Sequence, residues 1–222
     1  MGKNKLKRFR ENLEFSHMIQ PKMAFPFEDH PLKGKWKSEF FRRDAPIVLE
    51  LGCGRGEYTV NLAKMFPEKN FIGIDWKGAR LWRGAKTVQE DCMDNVAFLR
   101  IQIHSIAHFF EVNEVDEIWI TFPDPQLRES KEMKRLTSPR YLDYYRKILK
   151  PDALINLKTD SHELYNYTLD LCSEMNYKIF RNTSDLYHSE IVDEVLEIKT
   201  TYEKRWLNEG LKICYLQFSI DK

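Results

Sequence analysis

Ile47-Val48-Leu49-Glu50-Leu51-Gly52-Cys53-Gly54-Arg55-Gly56, with Phe71-Ile72-Gly73-Ile74-Asp75 downstream, is the stretch that decides the fold. The apolar run at 47–51 reads as a strand buried on both faces of a parallel sheet. It enters a turn with three glycines, after which residues 57–65 read as a helix. Glycine lets a backbone pass close beneath a ligand where a Cβ would clash. The second apolar run ends in a carboxylate, which suits the hydroxyl pair of a ribose. Together these features describe the nucleoside-binding first half of a doubly wound sheet.

The glycine spacing narrows the ligand. A dinucleotide-binding turn has the form G-x-G-x-x-G and seats a pyrophosphate on a helix N-terminus. This chain has G-x-G-x-G preceded by Glu50. A carboxylate there repels a pyrophosphate and attracts an ammonium group. S-adenosylmethionine carries a sulfonium, an ammonium and a ribose diol, and no phosphate. Glu50, Gly52, Gly54, Gly56 and Asp75 are therefore the candidate cofactor-binding residues, with S-adenosyl-L-methionine as the cofactor.

Outward from this stretch, the apolar and polar patterns alternate. Strands are expected near 47–51, 70–75, 96–100, 116–121 and 153–158, and helices near 57–65, 77–91, 137–149 and 161–175. Such alternation predicts an α/β fold, a doubly wound Rossmann-like parallel sheet with helices on both faces. Runs at 177–181 and 212–219 are expected as an antiparallel pair closing the sheet. Glu50, Asp75, Gln102, Asp124 and Asp160 each fall at or just past an expected strand end, where ligands collect in such folds. Taken singly, each also suits a turn or helix cap.

Composition sets the class. Hydrophobic residues at 42% suffice for a core, and charged residues at 31% suit a soluble protein. No apolar stretch approaches the roughly 20 residues of a membrane span. The basic N-terminus has no apolar run behind it and does not read as a signal peptide. Cys53, Cys92, Cys172 and Cys214 are dispersed, so neither a zinc site nor a disulfide framework is expected, and no metal site emerges from the histidines. A cytoplasmic address is the expectation. The net charge of +1 hides an asymmetry, since residues 1–43 hold 11 Lys/Arg against 5 Asp/Glu. That division gives a basic N-terminal arm with a short helix near 36–43, then a catalytic domain over 44–222. Residues 1–34 read as irregular, broken by Pro21, Pro26, Pro31 and Gly34. A basic arm ahead of an acidic body is a footprint for phosphates, and it also fits a solvated terminus.

Two further segments carry chemistry. In Trp119-Ile-Thr-Phe-Pro-Asp-Pro125 two prolines stiffen the backbone around Asp124. A rigid turn at a strand end aims one carboxylate, as a substrate-orienting group requires. Arg128, Lys131, Lys134, Arg135 and Arg140 follow. A carboxylate with a cationic rim suits a nucleobase in RNA, phosphates meeting the bases and a base edge meeting the acid. The other segment is Lys199-Thr-Thr-Tyr-Glu-Lys-Arg-Trp206 ahead of the last strand, where Tyr202 and Trp206 share a helix face. Those rings are suited either to stacking on a base or to packing the helix on the sheet.

With these motifs in place, the chain resembles the bacterial tRNA (guanine-N7-)-methyltransferases over about residues 47–218. The resemblance rests on Glu-Leu-Gly-Cys-Gly-Arg-Gly at 50–56, Phe-Pro-Asp-Pro at 122–125, Lys-Arg-Leu-Thr at 134–137, Lys-Thr-Asp at 158–160 and Thr-Thr-Tyr-Glu at 200–203. It implies the class I methyltransferase fold, a seven-stranded, mostly parallel sheet with an antiparallel C-terminal edge strand. It implies methylation of N7 of a guanine in the variable loop of tRNA, by a monomer or homodimer without a metal. By resemblance Glu50 and Asp75 match cofactor-binding acids, and Gln102 falls at the polar position near the adenine. Asp124 matches the acid assigned to the active site and is placed with the cofactor-binding set as well as the catalytic one. Arg128, Asp160, Thr200, Thr201, Tyr202 and Glu203 match substrate positions. The run after Pro125 departs from the family's pattern, with Gln126 for the usual Trp and fewer basic residues. The alternatives are a class I methyltransferase acting on another substrate and a non-catalytic RNA-binding protein on this fold.

Overall fold

The structure, a computed structural model that describes residues 2–22 and 28–220, runs α1 (Gly2–Glu14), β1 (Met18–Ile19), β2 (Ile47–Leu51), α2 (Glu57–Met65), β3 (Asn70–Ile74), α3 (Gly78–Glu90), β4 (Val96–Leu99) and β5 (Val115–Thr121). It continues with α4 (Pro139–Arg146), β6 (Leu149–Thr159), α5 (His162–Glu174), β7 (Lys178–Thr183), α6 (Thr201–Asn208) and β8 (Cys214–Ser219). Short helical turns lie at Trp36–Phe40, Ile103–His108, Glu129–Lys134 and Leu186–His188. All nine elements expected between residues 47 and 175 form within a few residues of their expected bounds.

The strands form one sheet in the order β1-β4-β3-β2-β5-β6-β8-β7. β2 lies parallel to β3 on one side and to β5 on the other. The chain therefore winds outward in both directions from the β2/β5 pair. Crossover helices leave in opposite senses there, which opens a crevice at the carboxyl ends of those two strands. The glycine turn follows β2 and the Pro-Asp-Pro turn follows β5, so the two motifs meet because of this winding order.

Alternation divides the core. Ile47, Leu49 and Leu51 join a cluster with Trp36, Tyr145, Leu157 and Phe218, while Val48 joins Tyr58, Leu62, Phe98 and Trp119 on the opposite face. Glu50 shares the Val48 face and so points toward α2.

Two expectations need correction. The sheet has eight strands, and its C-terminal strand is antiparallel but interior: β8 lies between β6 and β7, antiparallel to both, leaving β7 at the edge. The N-terminal segment is also not irregular throughout. α1 lies against α3, with the Asn12 side-chain amide donating to Gly78 O at 2.8 Å and Trp82 Nε1 donating to Glu11. Met18 and Ile19 pair in parallel with Phe98 and Leu99, adding the eighth strand. The breaking prolines all follow Glu14, and Lys and Arg are good helix formers whose stems cover apolar surface. Breakers at 21–34 were no reason to expect irregular chain ahead of them. Residues 23–27, part of that expected irregular stretch, lie outside the described residues.

Among the described residues no helix is long and apolar enough to cross a membrane.

Candidate active site

The crevice past β2 and β5 is a cleft lined by Glu50, residues 52–55, Glu57, Arg80, Thr121, Phe122, Thr200 and Tyr202. Glu50 is its buried acid. Thr59 donates to Glu50 Oε2 through its amide at 2.8 Å and through its hydroxyl, and the Thr121 hydroxyl donates to Oε1 at 2.6 Å. Burial raises the Glu50 carboxyl from 4.5 to about 7; the Thr121 and Thr59 hydrogen bonds oppose this, and the nearby Asp75 charge adds to it. A buried acid held so near neutrality is poised to respond to a cation placed beside it.

The glycine turn serves two purposes. Gly54 has φ +57°, and a Cβ there would meet nothing nearer than Gly52 O at 3.9 Å. The space above it is open to the cleft. Gly56, the N-cap of α2 at φ +68°, is different: a Cβ would fall 2.4 Å from Phe98 Cε1. Gly73 and Gly84 crowd the same ring, at 2.7 and 2.5 Å. Gly56 thus admits the Phe98 ring beneath α2 and does not line the cleft. Asp75, half-buried at the end of β3, accepts from Gly54 N at 3.0 Å and Lys77 N at 2.7 Å. It ties the turn to the next strand.

The Pro123-Asp124-Pro125 turn is bracketed by two non-glycine residues in the left-handed region, Phe122 at φ +49° and Gln126 at φ +47°. Such conformations are sparsely populated and gather at functional sites. Asp124 itself is exposed, two residues beyond the cleft wall, and its Oδ1 accepts from Gln126 N at 3.1 Å. The Phe122 ring lies 5.0 Å from Trp206, which stacks on Tyr202 at 5.9 Å. An aromatic row therefore joins the Pro-Asp-Pro turn to α6.

The Thr200–Glu203 segment divides. Thr200 caps α6, accepting from Glu203 N at 3.2 Å, while Glu203 Oε2 accepts from Thr200 N at 3.3 Å, a reciprocal capping box. Thr201 donates through its amide and hydroxyl to Glu57, joining α6 to the first residue of α2. Tyr202 is 44% exposed and lines the cleft. Glu203 is fully buried and turned the other way, paired with Lys158 Nζ at 2.8 Å and accepting from Tyr187 OH at 2.5 Å. Lys158, also fully buried, donates to Leu196 O at 2.7 Å and Ile198 O at 3.0 Å. Burial pulls the Lys158 ammonium below its usual value and Glu203 opposes that.

The remaining sequence candidates stand apart from the cleft lining. Gln102 is exposed past β4, its carbonyl accepting from Ser105. Arg128 is exposed at the head of the Glu129–Lys134 turn. Asp160 is half-buried past β6, and burial raises its carboxyl. Of the basic run, Arg135 lies over the Tyr167 ring at 4.2 Å and Arg140 donates to Tyr144 OH at 3.0 Å, while Arg128, Lys131 and Lys134 face solvent. Among the described residues no group of three or more His, Cys, Asp or Glu side chains is placed to hold a metal ion.

Sequence reasoning missed three participants. Lys158, the buried partner of Glu203, left one signal, a lysine within the otherwise uncharged strand 153–159. Arg55 occupies an x position of the G-x-G-x-G pattern, and Arg80 left no signal beyond its charge.

A family model described as "Putative methyltransferase" matches residues 44–216. The chain is 50% identical over 221 residues to a tRNA (guanine-N(7)-)-methyltransferase of Bacteroides thetaiotaomicron, covering 99% of this chain and 87% of that protein. It is 54% identical over 210 residues to the protein of the same name from Porphyromonas gingivalis, covering 93% and 85%. Among solved structures, the 16S rRNA (adenine(1408)-N(1))-methyltransferase with cosubstrate SAM from Catenulisporales acidiphilia superposes with a TM-score of 0.60 at 15% identity, covering 90% of this chain and 96% of that one. At that identity the likeness is one of fold.

Proposed function

This chain belongs to the tRNA (guanine-N(7)-)-methyltransferase family, and from that premise we propose that it transfers the methyl group of S-adenosyl-L-methionine to N7 of a guanine in the variable loop of tRNA, in the cytoplasm where that substrate resides. The observation that carries the reading is the meeting, past β2 and β5, of a buried acid, a glycine turn with open space above Gly54, and a rigid turn bearing an exposed carboxylate. The first two suit the cofactor. Glu50 would face its ammonium, residues 52–54 would pass beneath it, and Asp75 would accept from its ribose with the lone pairs that the two amides leave free. When bound, the cofactor supplies an electrophilic methyl on a sulfonium.

The remaining work falls to the protein's own groups. Guanine N7 carries an available lone pair, so no residue has to remove a proton before transfer. Positive charge passes from sulfur to the base, and a carboxylate fixed beside the base stabilises it. Asp124 is assigned that role, its turn held by two prolines and by the Gln126 amide. The same carboxylate can accept from guanine N1–H and the exocyclic amine, which adenine cannot match. Tyr202 offers an exposed ring for stacking. Arg128 and Asp160 belong to the outer substrate contacts. Glu203 positions α6 through its cap and Lys158 and does not touch the base. Proximity of base and methyl supplies much of the rate.

Incubation with labelled cofactor and an unmodified tRNA transcript, followed by mapping of N7-methylguanosine, tests the reading. Label on a variable-loop guanine is the expected result. Label on protein, on another base, or nowhere rejects it. Asp124→Ala should cut single-turnover methylation by about 10²-fold, as loss of one preorganised electrostatic group does. Binding of S-adenosylhomocysteine should be little changed, and Asp124→Asn should fall between. Near-normal methylation by Asp124→Ala removes this residue from the active site.

A further inference from the structure

Beside the glycine cleft lies a second cavity, of about 260 Å³, whose charged lining is wholly cationic. Arg8 of α1, Arg55 of the glycine turn and Arg80 and Arg83 of α3 converge on it, with Trp82 and Tyr202 as its aromatic walls. No carboxylate lines it. Arg55, Arg80 and Tyr202 line the glycine cleft as well, so the two cavities adjoin. Arg8 lies over the Trp82 ring at 4.7 Å, and Arg83 reaches Thr87 at 3.1 Å and Glu90 at 3.7 Å. Among the described residues the guanidinium groups of Arg55 and Arg80 have no hydrogen bond and no ion pair.

Bringing four guanidiniums together around one concavity is unfavourable unless an anion compensates them. The adjoining cleft adds two acids, Glu50 and Glu57, on its wall beside the shared Arg55 and Arg80. A zwitterionic cofactor with no phosphate fits the acidic side. A polyanion fits the basic side, and arginine's forked donors match phosphate oxygens in pairs.

We propose that this arginine cavity grips backbone phosphates of the RNA next to the target guanosine, on the α1/α3 side of the cleft. The inference rests on the function proposed above and adds a surface to it, lying at α1 and α3 and separate from the exposed bases of the Arg128–Lys134 stretch. Tyr202 stands between the two cavities, its ring available to a base whose phosphates lie among the arginines. α1 supplies one of the four cations, so its docking on α3 belongs to RNA binding as well as to the fold. This surface is invisible in the sequence, because Arg8, Arg55, Arg80 and Arg83 come from three separated segments.

The test uses Arg8→Gln/Arg83→Gln, since neither residue lines the glycine cleft. Affinity for an unmodified tRNA transcript is measured across a salt series, beside binding of S-adenosylhomocysteine and of inorganic pyrophosphate. Loss of two phosphate contacts should make the log–log salt slope shallower by about 1–2 and weaken tRNA binding by roughly tenfold at moderate salt. S-adenosylhomocysteine binding should be unchanged. Arg8→Lys/Arg83→Lys keeps the charges and should recover most of the slope, which separates electrostatics from any loss of α1 docking. An unchanged slope in the Gln variant overturns the proposal, as does a Lys variant that binds tRNA no better than the Gln variant. Loss of pyrophosphate binding with tRNA binding intact also overturns it, giving the cavity to free phosphates. Failure of the unaltered protein to methylate tRNA would instead reject the parent function, an outcome distinct from retained methylation with an unaltered slope.

Discussion

At the residue scale, the raised carboxyl of Glu50 makes its proposed contact with the cofactor testable through pH. Burial holds its folded value near 7, above the ordinary 4.5. A carboxyl raised in this way contributes stability that is fully present below the unfolded value and is lost as pH climbs through about 7. A ligand ammonium reverses the preference by favouring the ionised form. The affinity for S-adenosylhomocysteine should therefore rise between about pH 5.5 and 8, by up to roughly tenfold per pH unit below 7. Calorimetry across that window should show the rise in the unaltered protein and a flat profile in Glu50→Gln. A flat profile in both would mean that Glu50 does not face the amine. The two glycines at 54 and 56 separate in the same way. Gly56→Ala drives a Cβ into Phe98 and should cost about 1–3 kcal/mol of stability in urea unfolding, the range for overpacking. Gly54→Ala meets open space in the protein but places a Cβ at φ +57°, so it should cost about 1–2 kcal/mol of backbone strain and, beyond that, weaken cofactor binding. The glycine pattern was legible in the sequence. Their division of labour was not, because Phe98 approaches from a strand more than 40 residues away.

At the element scale, α6 is fixed by one local contact, its capping box, and by longer-range ones that no local pattern announces. Its first turn is capped by Thr200 and Glu203, bound to α2 through Glu57, and anchored from behind by Lys158. Lys158 also gathers the carbonyls of Leu196 and Ile198, so one buried ammonium holds the loop before α6 and the helix itself to β6. Breaking a buried pair from one side leaves an uncompensated charge, at a cost of about 3–5 kcal/mol. Glu203→Gln retains a residue type that can complete the cap and should still lose about that much in denaturant unfolding. Lys158→Met combined with Glu203→Gln should recover a substantial part, since no buried charge then remains. A double variant less stable than Glu203→Gln alone would refute the pairing argument. Thr-Thr-Tyr-Glu was visible as a motif, and its first and last residues also spell a capping box. Which of the four residues face the cleft depended on the helix being seated.

At the scale of the whole molecule, the winding order brings the site together. β2 and β5 are neighbours although 63 residues separate Leu51 from Val115, and each ends in a turn that faces the same crevice. A ligand bound there bridges both halves of the sheet and should stabilise the fold as a unit. At one hundred times its Kd, S-adenosylhomocysteine should add about 2.7 kcal/mol, or roughly 5–10 °C in Tm for a chain of this size. NAD should add nothing, because Glu50 opposes a pyrophosphate at the glycine turn. An equal thermal shift with NAD would reject the assignment of the cofactor class.

The sequence by itself determined the order of elements between residues 47 and 175, the class of fold and the residue types of the two turns. Those features are local: apolar period, glycine and proline placement, and a carboxylate at a strand end depend on neighbours along the chain. Tertiary structure alone decided the seat of the N-terminal segment, the interior position of β8, the inward turn of Glu203 and the convergence of four arginines. Each of these is a pairing between distant segments. Its free energy comes from burial, charge compensation and close approach across the fold, and those are set only once the sheet has brought the segments together.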